Sequence, residues 1–187
     1  PPTDGRPLVA RAAEIECPWA PKHRLLRVTL KARELELAKR PRMNLVFLLD
    51  VSGSMDDSKK LPLVTRSMRL LADQLGENDK LSIVVYAGSS GVVLPPTNGD
   101  RRVDIRAALD RLKAGGSTNG GEGIELAYKI ARENFVENGV NRVVLCTDGD
   151  FNVGVTDRSA LLDLIAERAR SNVFLTVLGF GYGNLKD

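Results

Sequence analysis

Three polar stretches hold the side chains that could do chemistry. The first is Asp50-Val51-Ser52-Gly53-Ser54, the second is the glycine-rich run around Thr118, and the third is Thr147-Asp148-Gly149. Together they offer carboxylates and hydroxyls, without histidine or thiolate. Hard divalent cations such as Mg2+, Mn2+ or Ca2+ prefer oxygen ligands of this kind. The alternation Asp50-x-Ser52-x-Ser54 lets a bending loop aim every second side chain at one point, and Gly53 permits the bend. Few formal negative charges converge, so a bound cation keeps residual positive charge and can accept a carboxylate from outside.

These stretches act together only if the fold brings them to one place. Leu45–Leu49 is a continuous apolar run ending at Asp50, and Arg142–Cys146 is a second run ending just before Asp148. Further strands are read at Leu81–Tyr86, Gly91–Leu94 and Val173–Leu178. The turn before Gly91 is so short that this strand should run antiparallel to its predecessor. Helices are read between them. From Lys60 to Leu75 the residues Leu61, Val64, Met68, Leu71 and Leu75 share one face, with Pro62 in the first turn and Gly76 as a stop signal. Asp104–Leu112, Glu122–Phe135 and Ser159–Arg170 follow, the last with Leu162, Ile165, Ala166 and Ala169 on one side.

Apolar strands without alternation are buried on both faces, so helices must cover both. The fold class is therefore α/β: a Rossmann-like three-layer sandwich with a mostly parallel sheet and one antiparallel strand. In such sheets ligands sit beyond the carboxyl ends of the strands, where strand order reverses, and all three polar stretches fall at that edge. Residues 1–41 differ. Ala13–Cys17 and Leu25–Lys31 are short strands around Pro18-Trp19-Ala20-Pro21, with Leu26, Val28 and Leu30 alternating as a half-buried face and Trp19 as a packing residue. They form a hairpin appendage to a domain spanning residues 42–187. The chain opens without Met and ends soon after a strand, which predicts truncation at both ends.

Asp50-Val51-Ser52-Gly53-Ser54, the separate Thr118 and the Thr147-Asp148-Gly149 turn resemble, in order and placement, the metal-ion-dependent adhesion site of von Willebrand factor type A domains. The resemblance runs from about Leu45 onward. The N-terminal strands and the stretch Leu45–Met55 look most like bacterial members described as calcium-activated chloride-channel homologues. It implies a metal site of Asp50, Ser52, Ser54, Thr118 and Asp148, with the hydroxyls as ligands and the aspartates bound directly or through water. It implies Mg2+, with Mn2+ and Ca2+ as alternatives, a protein partner presenting Asp or Glu, and no enzymatic activity. A bacterial cell envelope location rests on the resemblance alone.

Other readings are weaker. A net charge of +3 with 24 acidic residues interspersed, and 5% aromatics, argues against nucleic acid. No apolar stretch is long enough to cross a bilayer, so this fragment is not expected to insert directly. A calcium loop starting at Asp148 fails, because Val153 and Ser159 stand where glycine and glutamate belong. Gly116–Gly123 lacks the Lys-Ser/Thr ending of a phosphate loop. A magnesium-dependent phosphatase with Asp50 as nucleophile wants an acid where Ser52 stands and a lysine at a strand end. A scaffold with an unused site is the remaining alternative. Asp56 and Asp57 are read as favouring the positive end of the following helix. The single histidine, His23, lies in the appendage, and two dissimilar cysteines make no disulfide framework.

Overall fold

The computed structural model describes residues 6–32, 40–115, 121–149 and 158–181. Contacts divide the chain into two units, Pro1–Arg40 and Pro41–Asp187. The first is an antiparallel hairpin of β1 (Leu8–Glu16) and β2 (Arg24–Ala32). Cys17 N–H donates to His23 O at 3.2 Å and His23 N–H to Ala20 O at 2.8 Å, closing the turn. Two expectations fail here. Leu26, Val28 and Leu30 are exposed rather than half-buried, and Trp19 is 77% exposed rather than packed. Alternation marks only a face that could be buried. Cys17, by contrast, is buried.

The second unit is a five-stranded sheet in the order β5-β4-β3-β6-β7. Its strands are β3 (Met43–Asp50), β4 (Lys80–Ala87), β5 (Ser89–Asn98), β6 (Val140–Thr147) and β7 (Val173–Gly179). All pairings are parallel except β4 with β5. The helices are α1 (Leu61–Ala72), α2 (Arg102–Asp110), α3 (Gly121–Glu133) and α4 (Arg158–Ala169).

The run at Leu45–Leu49 is apolar throughout because its two faces feed two cores. Leu45, Phe47 and Leu49 join Val64 and Met68 of α1 and Ile105 and Leu109 of α2. Val46 and Leu48 join Ile124, Ala127 and Tyr128 of α3. Truncating one such leucine to alanine costs about 2–5 kcal/mol, which keeps β3 fixed in the middle of the sheet. Gly123 lets α3 come close: a β-carbon there would stand 3.1 Å from Tyr86 Cβ and 3.2 Å from Leu48 Cδ1.

Differences from the periodicity are local. α1 stops at Ala72, before Gly76, because Asp73, Gln74 and Leu75 enter turns instead. β7 is an edge strand, with Phe174, Val177 and Leu178 exposed, so its apolar run does not mean burial on both faces. On α4, Ala166 is exposed, against the proposed inward stripe. No helix among the described residues is long and apolar enough to cross a membrane.

Candidate metal centre

The strand order reverses at β3, which pairs in parallel with β4 on one side and β6 on the other. Asp50 ends β3, and Asp148 follows β6 directly. Their chain separation is therefore erased by one strand pairing. Both are buried, at 0% and 1% exposure.

After β3 the chain leaves the sheet through a 3-10 turn, Gly53–Met55. Met55 is fully buried and anchors the turn from beneath, while Ser54 stays exposed above. Ser52 N–H donates to Asp50 Oδ1 at 2.8 Å, which fixes the carboxylate and bends the loop. The Ser52 and Ser54 hydroxyl oxygens then lie 3.0 Å apart. On the other side, Tyr86 OH and Thr147 Oγ1 each stand 3.4 Å from Asp50 Oδ2. Both distances exceed an ordinary O–H···O bond, so they orient Asp50 weakly.

Burial, more than any other influence, pushes the Asp50 carboxyl above the ordinary carboxylate range, and repulsion from Asp148 adds to it. Hydrogen bonds from Ser52 and Tyr86 oppose the shift. Burial and the nearby Asp50 charge push the Tyr86 phenol up as well, so it remains a neutral donor. Cys146, one residue before Thr147, has its thiol pushed up to about 12 by burial, and it is inert core.

The structure thus brings Asp50, Ser52, Ser54 and Asp148 to one edge. Thr118 lies outside the described residues. The segment leading to it is placed: Gly115 N–H donates to Val51 O at 2.7 Å, so the chain enters the glycine-rich run beside the Asp50–Ser54 loop. Asp150 and Asn152 also lie outside the described residues.

The donor set fits a hard cation. The Asp148 carboxylate lies close enough to raise the proton affinity of Asp50, and neutral hydroxyls complete an oxygen surface. Among the described residues no three Asp, Glu, His or Cys side chains converge, so carboxylates alone could not make the site. The exposed side at Ser54 leaves it open to a visitor.

Sequence reasoning missed one participant. Lys60 Nζ donates to Asp148 Oδ2 at 2.8 Å and to Ser54 O at 2.9 Å. The only signal was a lysine standing where a helix start prefers a small polar or acidic residue. It also removes one argument against phosphatase chemistry, since a lysine does reach this edge, from a helix start rather than a strand end. The other argument stands, with Ser52 in the acid's place. Asp57 accepts Lys59 N–H at 2.8 Å in the turn before α1, whose first turn holds no acid.

A central, mostly parallel sheet with one antiparallel edge, helices on both faces and an oxygen-lined edge at the reversal point define an α/β three-layer domain. The family model described as von Willebrand factor type A domain matches residues 45–150, and the chain belongs to that family. Its members generally mediate metal-dependent contacts between proteins and are generally not enzymes. The chain is 41% identical over 181 residues to the uncharacterized protein YfbK of Escherichia coli K12, covering 97% of this chain and 32% of that protein. It therefore spans about a third of that relative's length. Among solved structures it resembles manganese-loaded TRAP protein of Plasmodium vivax, with TM-score 0.60, 16% identity, and coverage of 94% of this chain and 63% of that one. It also resembles an aerotolerance-related membrane protein of Bacteroides fragilis, with TM-score 0.56, 24% identity, and coverage of 74% and 68%. At these identities the two structures establish the fold.

Proposed function

We propose that this domain is a metal-dependent protein-binding module. Asp50, Ser52, Ser54 and Asp148, with Thr118 from the neighbouring loop, hold a divalent cation, and a partner's Asp or Glu completes its coordination. Mg2+ is the proposed ion, with Mn2+ and Ca2+ as substitutes of similar ligand preference. The bound ion supplies a positive centre for a carboxylate. The protein's residues fix the oxygens and keep one side open.

The observation that carries this reading is the pairing of two buried, mutually repelling carboxylates with two adjacent hydroxyls, one of them exposed. Manganese in the TRAP structure supports a divalent ion on this fold. A bacterial cell-envelope setting is proposed with it, supported by the likeness to the Bacteroides membrane protein. Calorimetry with Mg2+ and Mn2+ tests the site. The wild-type chain takes up one ion, and Asp50→Ala takes up none. A pull-down with the full-length protein, with and without chelator, tests the partner. Retention of the same partners by Asp50→Ala, or in chelator, would refute the mechanism.

A further inference from the structure

Lys60 occupies the N-cap of α1, yet its side chain caps nothing there. Its charge has the wrong sign for a helix N-terminus, whose dipole favours anions. The side chain instead turns back to the site. Its ammonium bridges Asp148 Oδ2, 88 residues away in the chain, and the carbonyl of Ser54. The Lys60 side chain is 17% exposed and that of Asp148 is 0%. The lysine stem runs past Gly181: a β-carbon at that glycine would stand 2.9 Å from Lys60 Cε. The start of α1, the Asp50–Ser54 loop, the end of β6 and the end of β7 all meet at this one side chain.

Resting on the metal-site reading above, we propose that Lys60 is a built-in cation of the centre. It holds Asp148 in place when no divalent ion is bound, and it weakens the binding of that ion. The charge count gives the reason. Two ionised carboxylates formally cancel a divalent ion, and Lys60 adds one positive charge. The surplus positive charge that an incoming acid needs therefore comes from this lysine rather than from a shortage of acids. The same charge would repel the metal, because a like charge held against one of the proposed ligands opposes cation binding. Lys60 is a positioning residue, and metal affinity is where its effect is read.

Lys60→Met keeps the stem against Gly181 and removes the charge. Lys60→Gln keeps a donor for Ser54 O and also removes the charge. Both should bind Mn2+ at least about tenfold more tightly than wild type by calorimetry. Both should melt lower than wild type in chelator, because the buried Asp148 loses its ion pair with Lys60. In saturating Mn2+ they should melt at or above the wild-type temperature. A purely structural lysine would lower both melting temperatures alike and leave affinity unchanged or weakened, and either result overturns the proposal. If Lys60→Met fails to fold, Lys60→Gln decides by the same two readings. Wild type that binds no Mn2+ refutes the metal site itself. Wild type that binds while both variants bind no more tightly refutes only the role of Lys60.

Discussion

Buried polar side chains gather at both ends of this sheet and serve opposite purposes. At the amino end, Asn44 Nδ2 donates to Ala131 O at 2.8 Å and to Asn141 Oδ1 at 3.1 Å. Asn141 in turn accepts Val136 N–H at 2.8 Å and donates to Val136 O at 2.9 Å. Beside them Asp79 accepts Met43 N–H at 2.9 Å and Gly76 N–H at 2.7 Å. Donors there meet acceptors, and the network ties loops to strands. At the carboxyl end, two buried carboxylates stand within repulsive reach of each other instead. Asp50 and Asp148 repel, two hydroxyls face each other, and Lys60 is the cation drawn in. One end spends its polar groups on the fold. The other stores a demand for positive charge, which is a cost to the fold and a resource for binding.

Breaking the amino-end network should have the largest effect on stability. Asn141→Ala leaves the half-buried Val136 N–H and O without their partner and should cost about 2–3 kcal/mol in urea unfolding. The loss should be the same with and without Mg2+, and affinity for the ion should not change. A variant that lost metal as well would show that the two ends are coupled. Asp50→Asn should do the reverse. It removes a buried charge while keeping an acceptor for Ser52 N–H, so in chelator the variant should be as stable as wild type or up to about 2 kcal/mol more stable. It should lose metal affinity by at least about a hundredfold. A variant both less stable and still metal-binding would end the contrast between the two ends.

Ser54→Ala sharpens the comparison further. Ser54 is exposed, so stability should stay within about 0.5 kcal/mol. Calorimetry should show roughly tenfold weaker Mg2+ binding, the expected cost of one lost neutral ligand. The smallest effect is a pH dependence. Asp50 holds its proton more tightly folded than unfolded. In chelator, its contribution to stability therefore falls as pH rises from the unfolded carboxylate range through its raised folded value. Relative to Asp50→Asn, wild type should lose ground as pH rises above the ordinary carboxylate range, read from urea midpoints. A constant difference would mean that Asp50 ionises in the folded chain as it does in the unfolded one.

Much of the architecture was legible because strand and helix periodicities report burial directly. Leu45–Leu49 and Arg142–Cys146 could only be strands covered on both sides, and the short turn before Gly91 forced an antiparallel partner. Periodicity misleads where burial depends on a partner. The apolar run of β7 read as covered on both faces and has Phe174, Val177 and Leu178 exposed, and the Leu26-Val28-Leu30 face read as half-buried and is exposed. Apolar character shows what a surface would gain by being covered, and neighbours decide whether cover exists.

By itself the sequence determined the ingredients of the site: acids and hydroxyls placed just past apolar strands, with glycine where the chain must bend. Local bonding rules and a two-residue alternation suffice for that. Only the tertiary structure decided that Asp50 and Asp148 lie side by side, because that proximity comes from β3 pairing with β6. Only it could assign Lys60, whose role is set by the direction of a long flexible side chain at a helix start. No periodicity encodes that direction. It follows from where two distant oxygens, on Ser54 and Asp148, come to rest.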